Sequence, residues 1–240
     1  MQMFNKIQLN NSQLKYIAAF FMFIDHFAFL LLEYGTLPYF IGRGLGRLSA
    51  PIFFWAISEG ALHTKNMKKY FLNILIFGLA IQVFYTIGVG DIGSFTSVIE
   101  LNKNIFITLA LGLLGIIIIK EYPEKSLLHF STIGFLCFIG ELINVDYGWY
   151  GILFIILFYL FKENKIKLIT SLIIINVIRF VVHIDGYELI PNLLQLLALL
   201  SLPIIFLYNG KRGNGNKYFF YLFYPIHLGL LYLLKEILIH

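Results

Sequence analysis

Long apolar runs recur along this chain with little polar sequence between them. Nine can be marked, at 16–34, 48–62, 70–89, 104–119, 126–143, 147–161, 168–184, 189–208 and 218–239. A bilayer-spanning helix needs about 20 such residues at about 1.5 Å rise each, so most of the runs are long enough, while the second, fourth and sixth are short. None alternates with the period of two that an outer-membrane barrel requires. Without water to satisfy the backbone, helices are the spanning structure left. The expectation is an all-α, polytopic membrane helix bundle of about nine transmembrane helices, formed by residues 1–240 as one integral membrane domain.

Composition agrees. Charged residues are 13% of the chain and hydrophobic ones 59%, against roughly a quarter charged in ordinary soluble domains. There is too little charge to cover a water-facing surface. That excludes a soluble enzyme, a disordered chain and a nucleic-acid-binding domain. The excess of basic residues falls largely in alternate connections, with Lys6 and Lys15 before the first run and Lys65, Lys68 and Lys69 after the second. Lys120 and Lys125 follow the fourth, Lys162, Lys165 and Lys167 the sixth, and Lys211, Arg212 and Lys217 the eighth. By the positive-inside rule the N-terminus is cytoplasmic and the chain is a multi-pass protein of the cell membrane. Residues 1–13 are largely polar, so no cleaved leader is expected. The lone cysteine, Cys137, excludes an intrachain disulfide and a cysteine-based metal site. Residues 209–216 (NGKRGNGN) read as a flexible loop.

The informative positions are the few polar groups inside apolar runs, because each ionisable group costs about 2.5–3.5 kcal/mol to insert and therefore turns inward. Asp25 and His26 lie near the middle of the first run (FFMFIDHFAFLL), His227 at similar depth in the last (YLFYPIHLGLL), and Glu59, Gln82, Glu141, Arg179 and Gln195 in others. A neutral histidine can take a proton from an attacking amine or hydroxyl; the competing reading of His26 is an interhelical hydrogen bond. Adjacent residues on a helix diverge by about 100°, so Asp25 reaches another helix or supplies charge rather than pairing with His26. Arg179 needs a carboxylate, with Asp25, Glu141 and Asp185 as candidates.

The stretch 42–51 (GRGLGRLSAP) joins the first two runs. Its glycines permit close backbone approach to an anion, and Arg43 and Arg47 can grip phosphate or carboxylate, sharing a face if the stretch is helical. The alternative is a flexible turn with arginines reaching to headgroups. Glu59 and His63, four apart, either pair or hold the basic loop at 65–69. That loop sets orientation or meets coenzyme phosphates.

With these residues in view, the chain resembles the TraX family of integral membrane proteins. The likeness rests on LKYIAAFFMFIDH (14–26), GRLSAPIFFWAISEGALHTKNMKKY (46–70), NIFITLALG (104–112), DYGWYGIL (146–153) and YLFYPIHL (221–228). It implies an acetyl-CoA-dependent acetyltransferase in the cell membrane, the best-known member of the family N-acetylating the pilin of a conjugation system. TraX-like proteins are more distantly similar to membrane acyltransferases that modify polysaccharides. Carried over position by position, the resemblance implies a catalytic role for His26 with Asp25 beside it. It implies substrate-binding roles for Arg43, Arg47, Glu59, His63, Asn104 and His227. The implied partners are the lipid bilayer, acyl-CoA and a peptide, protein or glycan acceptor, with no nucleic acid and no metal. Two other functions fit the same residues: a transporter or flippase whose buried charges line a path, and a non-catalytic subunit of a secretion or conjugation system.

Overall fold

The structure, a computed structural model, describes residues 7–89, 104–182 and 189–239. The expectations that rest on Lys6, Asp185 and the end of the seventh run lie outside these residues. Among the described residues the secondary structure is helical apart from an isolated bridge between Leu9 and Tyr208. The helices are α1 (Asn11–Leu31), α2 (Leu37–Gly46), α3 (Ser49–His63), α4 (Met67–Val89), α5 (Ile105–Glu121), α6 (Ser126–Leu142), α7 (Gly148–Leu160), α8 (Lys165–Val182), α9 (Leu189–Leu196), α10 (Ser201–Ile205) and α11 (Lys217–Ile239). Each of the nine apolar runs carries helix. Among the described residues two helices, Asn11–Leu31 and Tyr218–Leu238, are long and apolar enough to cross a membrane by length and composition.

Asparagine starts many of these helices. Asn10 caps α1 in a reciprocal box with Gln13, each side chain accepting the other's backbone N–H at 3.0 and 2.9 Å. The oxygens of Asn66, Asn104, Asn164 and Asn216 accept from the backbone N–H groups of Lys69, Phe106, Lys167 and Tyr218. Each cap satisfies a donor that the first helical turn leaves without a partner.

The chain divides into two compact units, Met1–Ala56 with Ile173–His240, and Ile57–Leu172. In the second, the core is built by α5 and α7. Leu113, Ile116, Ile152, Ile155 and Ile156 are fully buried, and Gly112 and Gly115 let α7 approach, since a Cβ on either would lie 2.6 or 2.7 Å from Ile155 or Ile156. At the turn before α7, Asn144 and Tyr147 take left-handed backbone conformations, and Glu141 accepts the Trp149 N–H at 2.8 Å. Here the carboxylate of the fifth run caps a helix.

In the first unit α1 is the hub. Its first half packs beside α11 in the same direction: Tyr16 meets Phe219 and Phe220, and farther along both helices His26 meets His227. Its second half is covered by α2, which runs the opposite way, Gly42 lying against Ala28 and Gly46 against Asp25. Of the joining stretch 42–51, residues 42–46 close a helix over 37–46, capped by Thr36 and ended by a tight turn in which Arg47 and Leu48 donate to Gly44 and Leu45. Helix then resumes at Ser49, whose hydroxyl donates to the Ala18 carbonyl at 2.8 Å. The eighth run is broken as well: α9 passes through a short 3₁₀ turn, Leu197–Leu200, into α10.

The loop at 209–216, expected to be loose, is pinned to the start of α1. Leu9 donates to Leu207 and accepts from Asn209, Asn11 and Ser12 donate to Lys211 and Arg212, and Gly215 donates to the Ser12 hydroxyl. Gly210 and Gly213 supply the positive φ that this path needs, at 77° and 73°.

The closeness of α1 and α2 gives a direct test. A Cβ at Gly42 would lie 2.5 Å from that of Ala28, which belongs to a rigid helix and cannot retreat. Gly42→Val is expected to lower the thermal midpoint of the detergent-solubilised protein by the equivalent of about 1–3 kcal/mol. Gly134→Ala, in open space, should be neutral or up to about 1 kcal/mol stabilising. Equal midpoints for Gly42→Val and wild type would mean that the two helices do not meet at Gly42.

Candidate functional site

Asp25 and His26 occupy adjacent positions two-thirds of the way along α1 and diverge around it. Asp25 turns to α2. Its Oδ2 accepts from Arg43 Nη1 at 2.7 Å, and Arg47 Nη2 spans both carboxylate oxygens at 2.9 and 3.1 Å. The carboxylate is 13% exposed, so the two guanidiniums replace most of its water. Arg43 and Arg47 can share it because a helix puts positions four apart on one face. Arg47 also donates to the Arg43 carbonyl and, at 3.4 Å, to Gln195 of α9. Arg43 stacks over the Phe29 ring, 4.9 Å from its centroid.

The glycines of this stretch serve helix packing. Gly42 and Gly46 face α1, while Gly44, on the other side of α2, lies against Leu194 and Leu197. The anion that this stretch approaches is the side chain of Asp25 itself, which a Cβ at Gly46 would overlap at 2.2 Å.

His26 turns to α11. Its Nδ1 lies 2.6 Å from His227 Nε2, and His227 Nδ1 lies 2.6 Å from the Phe223 carbonyl one turn earlier. His227 is buried, stacks on Phe223 at 4.5 Å and meets Tyr224 edge-on. Tyr224 also stands edge-on to His26. Beside the arginines, Tyr34, Tyr39, Phe40, Ile190, Pro191 and Leu194 line a cleft of about 50 Å³. That is room for a small charged group between aromatic and aliphatic walls.

Asp25, His26, Arg43, Arg47 and His227 thus meet within the first unit, together with Gln195. Glu59, His63 and Asn104 belong to the second. Glu59 and His63 pair across one turn of α3 at 2.7 Å, with the imidazole largely exposed. The loop that follows contributes Asn66 as the cap of α4. Asn104 is fully buried. Its amide donates to the Gly78 carbonyl and to Gln82, at 2.6 and 3.5 Å, while its oxygen caps α5. Among the described residues no group of three or more His, Cys, Asp or Glu could hold a metal ion.

Sequence reasoning did not join Gln195 to the arginines or His227 to His26. Gln195 was visible only as a lone amide in an apolar run. The histidines are 201 residues apart, a pairing that no local pattern encodes.

These features define a chain that is helical through its described residues, with a half-buried arginine–carboxylate clasp beside a histidine pair. The family model described as TraX protein matches residues 10–235, and the chain belongs to the TraX family. A relative from Dichelobacter nodosus, described as "Probable fimbrial assembly protein FimC, serogroup H1", is 33% identical over 246 residues, covering 95% of this chain and 97% of the relative. No solved structure matches the chain.

The clasp makes a ranked prediction. Asp25→Ala leaves two guanidiniums facing each other without their shared carboxylate and is expected to cost about 3 kcal/mol or more. Arg43→Met leaves the Asp25–Arg47 pair intact and should cost less. Thermal unfolding should therefore rank wild type above Arg43→Met and Arg43→Met above Asp25→Ala. The reverse order of the two variants would remove the carboxylate as the keystone.

Proposed function

We propose that this protein is a membrane-embedded, acetyl-CoA-dependent acetyltransferase that modifies a peptide or protein amine in pilus or conjugation-linked assembly. In this reading the nine helical runs cross the cell membrane and the N-terminus is cytoplasmic. Several features support the placement. Large apolar side chains stand exposed along the helices, among them Phe20 and Phe29 on α1, Phe130, Phe135 and Phe138 on α6, and Leu230 and Leu233 on α11. An aqueous surface tolerates no such continuous apolar cover. Parallel first and last helices fit an odd number of crossings. The pinning of Lys211 and Arg212 to the start of α1 puts both basic segments at one end, as the positive-inside rule asks.

The chemistry follows from His26. The amine nitrogen attacks the thioester carbonyl carbon, a C–N bond forms and the C–S bond breaks. His26 takes the amine proton and returns it to the departing thiolate, leaving an acetamide and the coenzyme thiol. Arg43 and Arg47 suit a carboxylate of the acceptor in the adjoining cleft, and the low dielectric strengthens every such contact. The observation that carries the reading is the imidazole of His26, held by a second ring one residue from the arginine clasp. The relative's printed name favours a role in fimbrial assembly, which N-acetylation of a pilus subunit would satisfy and a non-catalytic subunit would satisfy as well.

The two readings part on one measurement. Purified protein in lipid nanodiscs, given labelled acetyl-CoA and a pilin-type N-terminal peptide, is expected to transfer label to the peptide amine. His26→Ala should slow transfer by about 10²–10⁴-fold. Wild-type protein that binds pilus components yet transfers no label to amines or hydroxyls would establish the assembly reading instead.

A further inference from the structure

The hydrogen bonds around the two imidazoles fix where their hydrogens are. A carbonyl oxygen only accepts, so the 2.6 Å contact to Phe223 places a hydrogen on His227 Nδ1. In the neutral ring the other nitrogen, Nε2, is then a lone pair. His26 Nδ1 lies 2.6 Å from that lone pair and must be the donor. The geometry suits such a bond. The ring planes are 16° apart and their centroids 4.9 Å apart, which is the N–N separation plus the two ring radii. The rings therefore meet edge to edge in nearly one plane, along the direction of an in-plane N–H and an in-plane lone pair. His26 is left as the Nδ1–H tautomer, the reverse of the form that histidine prefers in water, and its lone pair sits on Nε2.

We infer that His227 is the positioning residue for His26: the Phe223 carbonyl sets the His227 tautomer, His227 sets that of His26, and Nε2 of His26 is thereby presented as the proton acceptor. The consequence for transfer rests on the acetyltransferase reading, whereas the tautomer does not. When Nε2 takes a proton, the Nδ1–H bond to His227 persists, so the ring keeps its orientation while it is charged. The surrounding side chains keep His227 in place, Phe223 stacking on its face and Tyr224 standing at its edge.

The test reads the ring directly. Protein labelled with ¹⁵N-histidine in nanodiscs, with His26 assigned by subtraction against His26→Gln, should show Nδ1 of His26 as the protonated nitrogen at neutral pH. His227→Gln keeps an acceptor oxygen and should retain that tautomer, with transfer within about tenfold of wild type. His227→Phe keeps the stacking on Phe223 but offers no acceptor. It should move the hydrogen to Nε2 and lower acetyl transfer by about 10²–10⁴-fold, the full worth of a general base, with little change in thermal midpoint. A wild-type His26 protonated on Nε2, or a tautomer that His227→Phe leaves unchanged, would overturn the assignment. So would wild-type transfer rates in His227→Phe. A tautomer that switches as expected in a protein that transfers no acetyl group would uphold His227's hold on His26 and sink the acetyltransferase reading alone.

Discussion

A carboxylate set deep in an apolar sequence has to be neutralised, and the first unit is arranged around that requirement. Asp25 meets it with two guanidiniums from one helix face. For α2 to bring them that close, it must lie against α1 with nothing between the backbones, hence glycine at 42 and 46. Because neighbours on a helix point in different directions, the choice of α2 for Asp25 turns His26 toward α11. The two ion pairs of one carboxylate therefore fix the rotation of α1, and the rotation fixes which helix the imidazole meets.

Much of the architecture is legible in hydropathy, because apolar runs bounded by polar residues have one outcome when helices are the only way to satisfy the backbone. Helix ends fall within a few residues of the marked runs, and asparagine at 10, 66, 104, 164 and 216 caps five of the helix starts. The stretch at 37–46 is the exception. Three glycines in ten residues argue against helix by intrinsic propensity, yet close packing against α1 and the α9 turn outweighs that preference. The pinned loop at 209–216 escaped for a different reason: its partners are backbone groups of the N-terminal segment, and backbone groups leave no trace in composition.

At the site, residue types carried part of the information and pairing the rest. Asp25, His26 and His227 stand out as polar intrusions, and the face shared by Arg43 and Arg47 follows from spacing alone. Which of these touch is a tertiary fact. Asn104, to which the resemblance gives a substrate-binding role, is held by the protein itself, its oxygen capping α5 and its amide bridging to α4. Burial cost marks a polar residue as having a partner. It does not say whether that partner is a ligand or the protein.

The first unit is assembled from two segments that are separated in sequence by residues 57–172, which form the other unit. A ribosome delivers α1 and α2 before residues 57–172 and α11, so the clasp can close before α11 is made. The helix carrying position 227 emerges after the other described helices. The nascent protein thus holds its arginines in register before it has the second imidazole, so any proton chemistry that depends on both rings begins only once the helix carrying position 227 is in place.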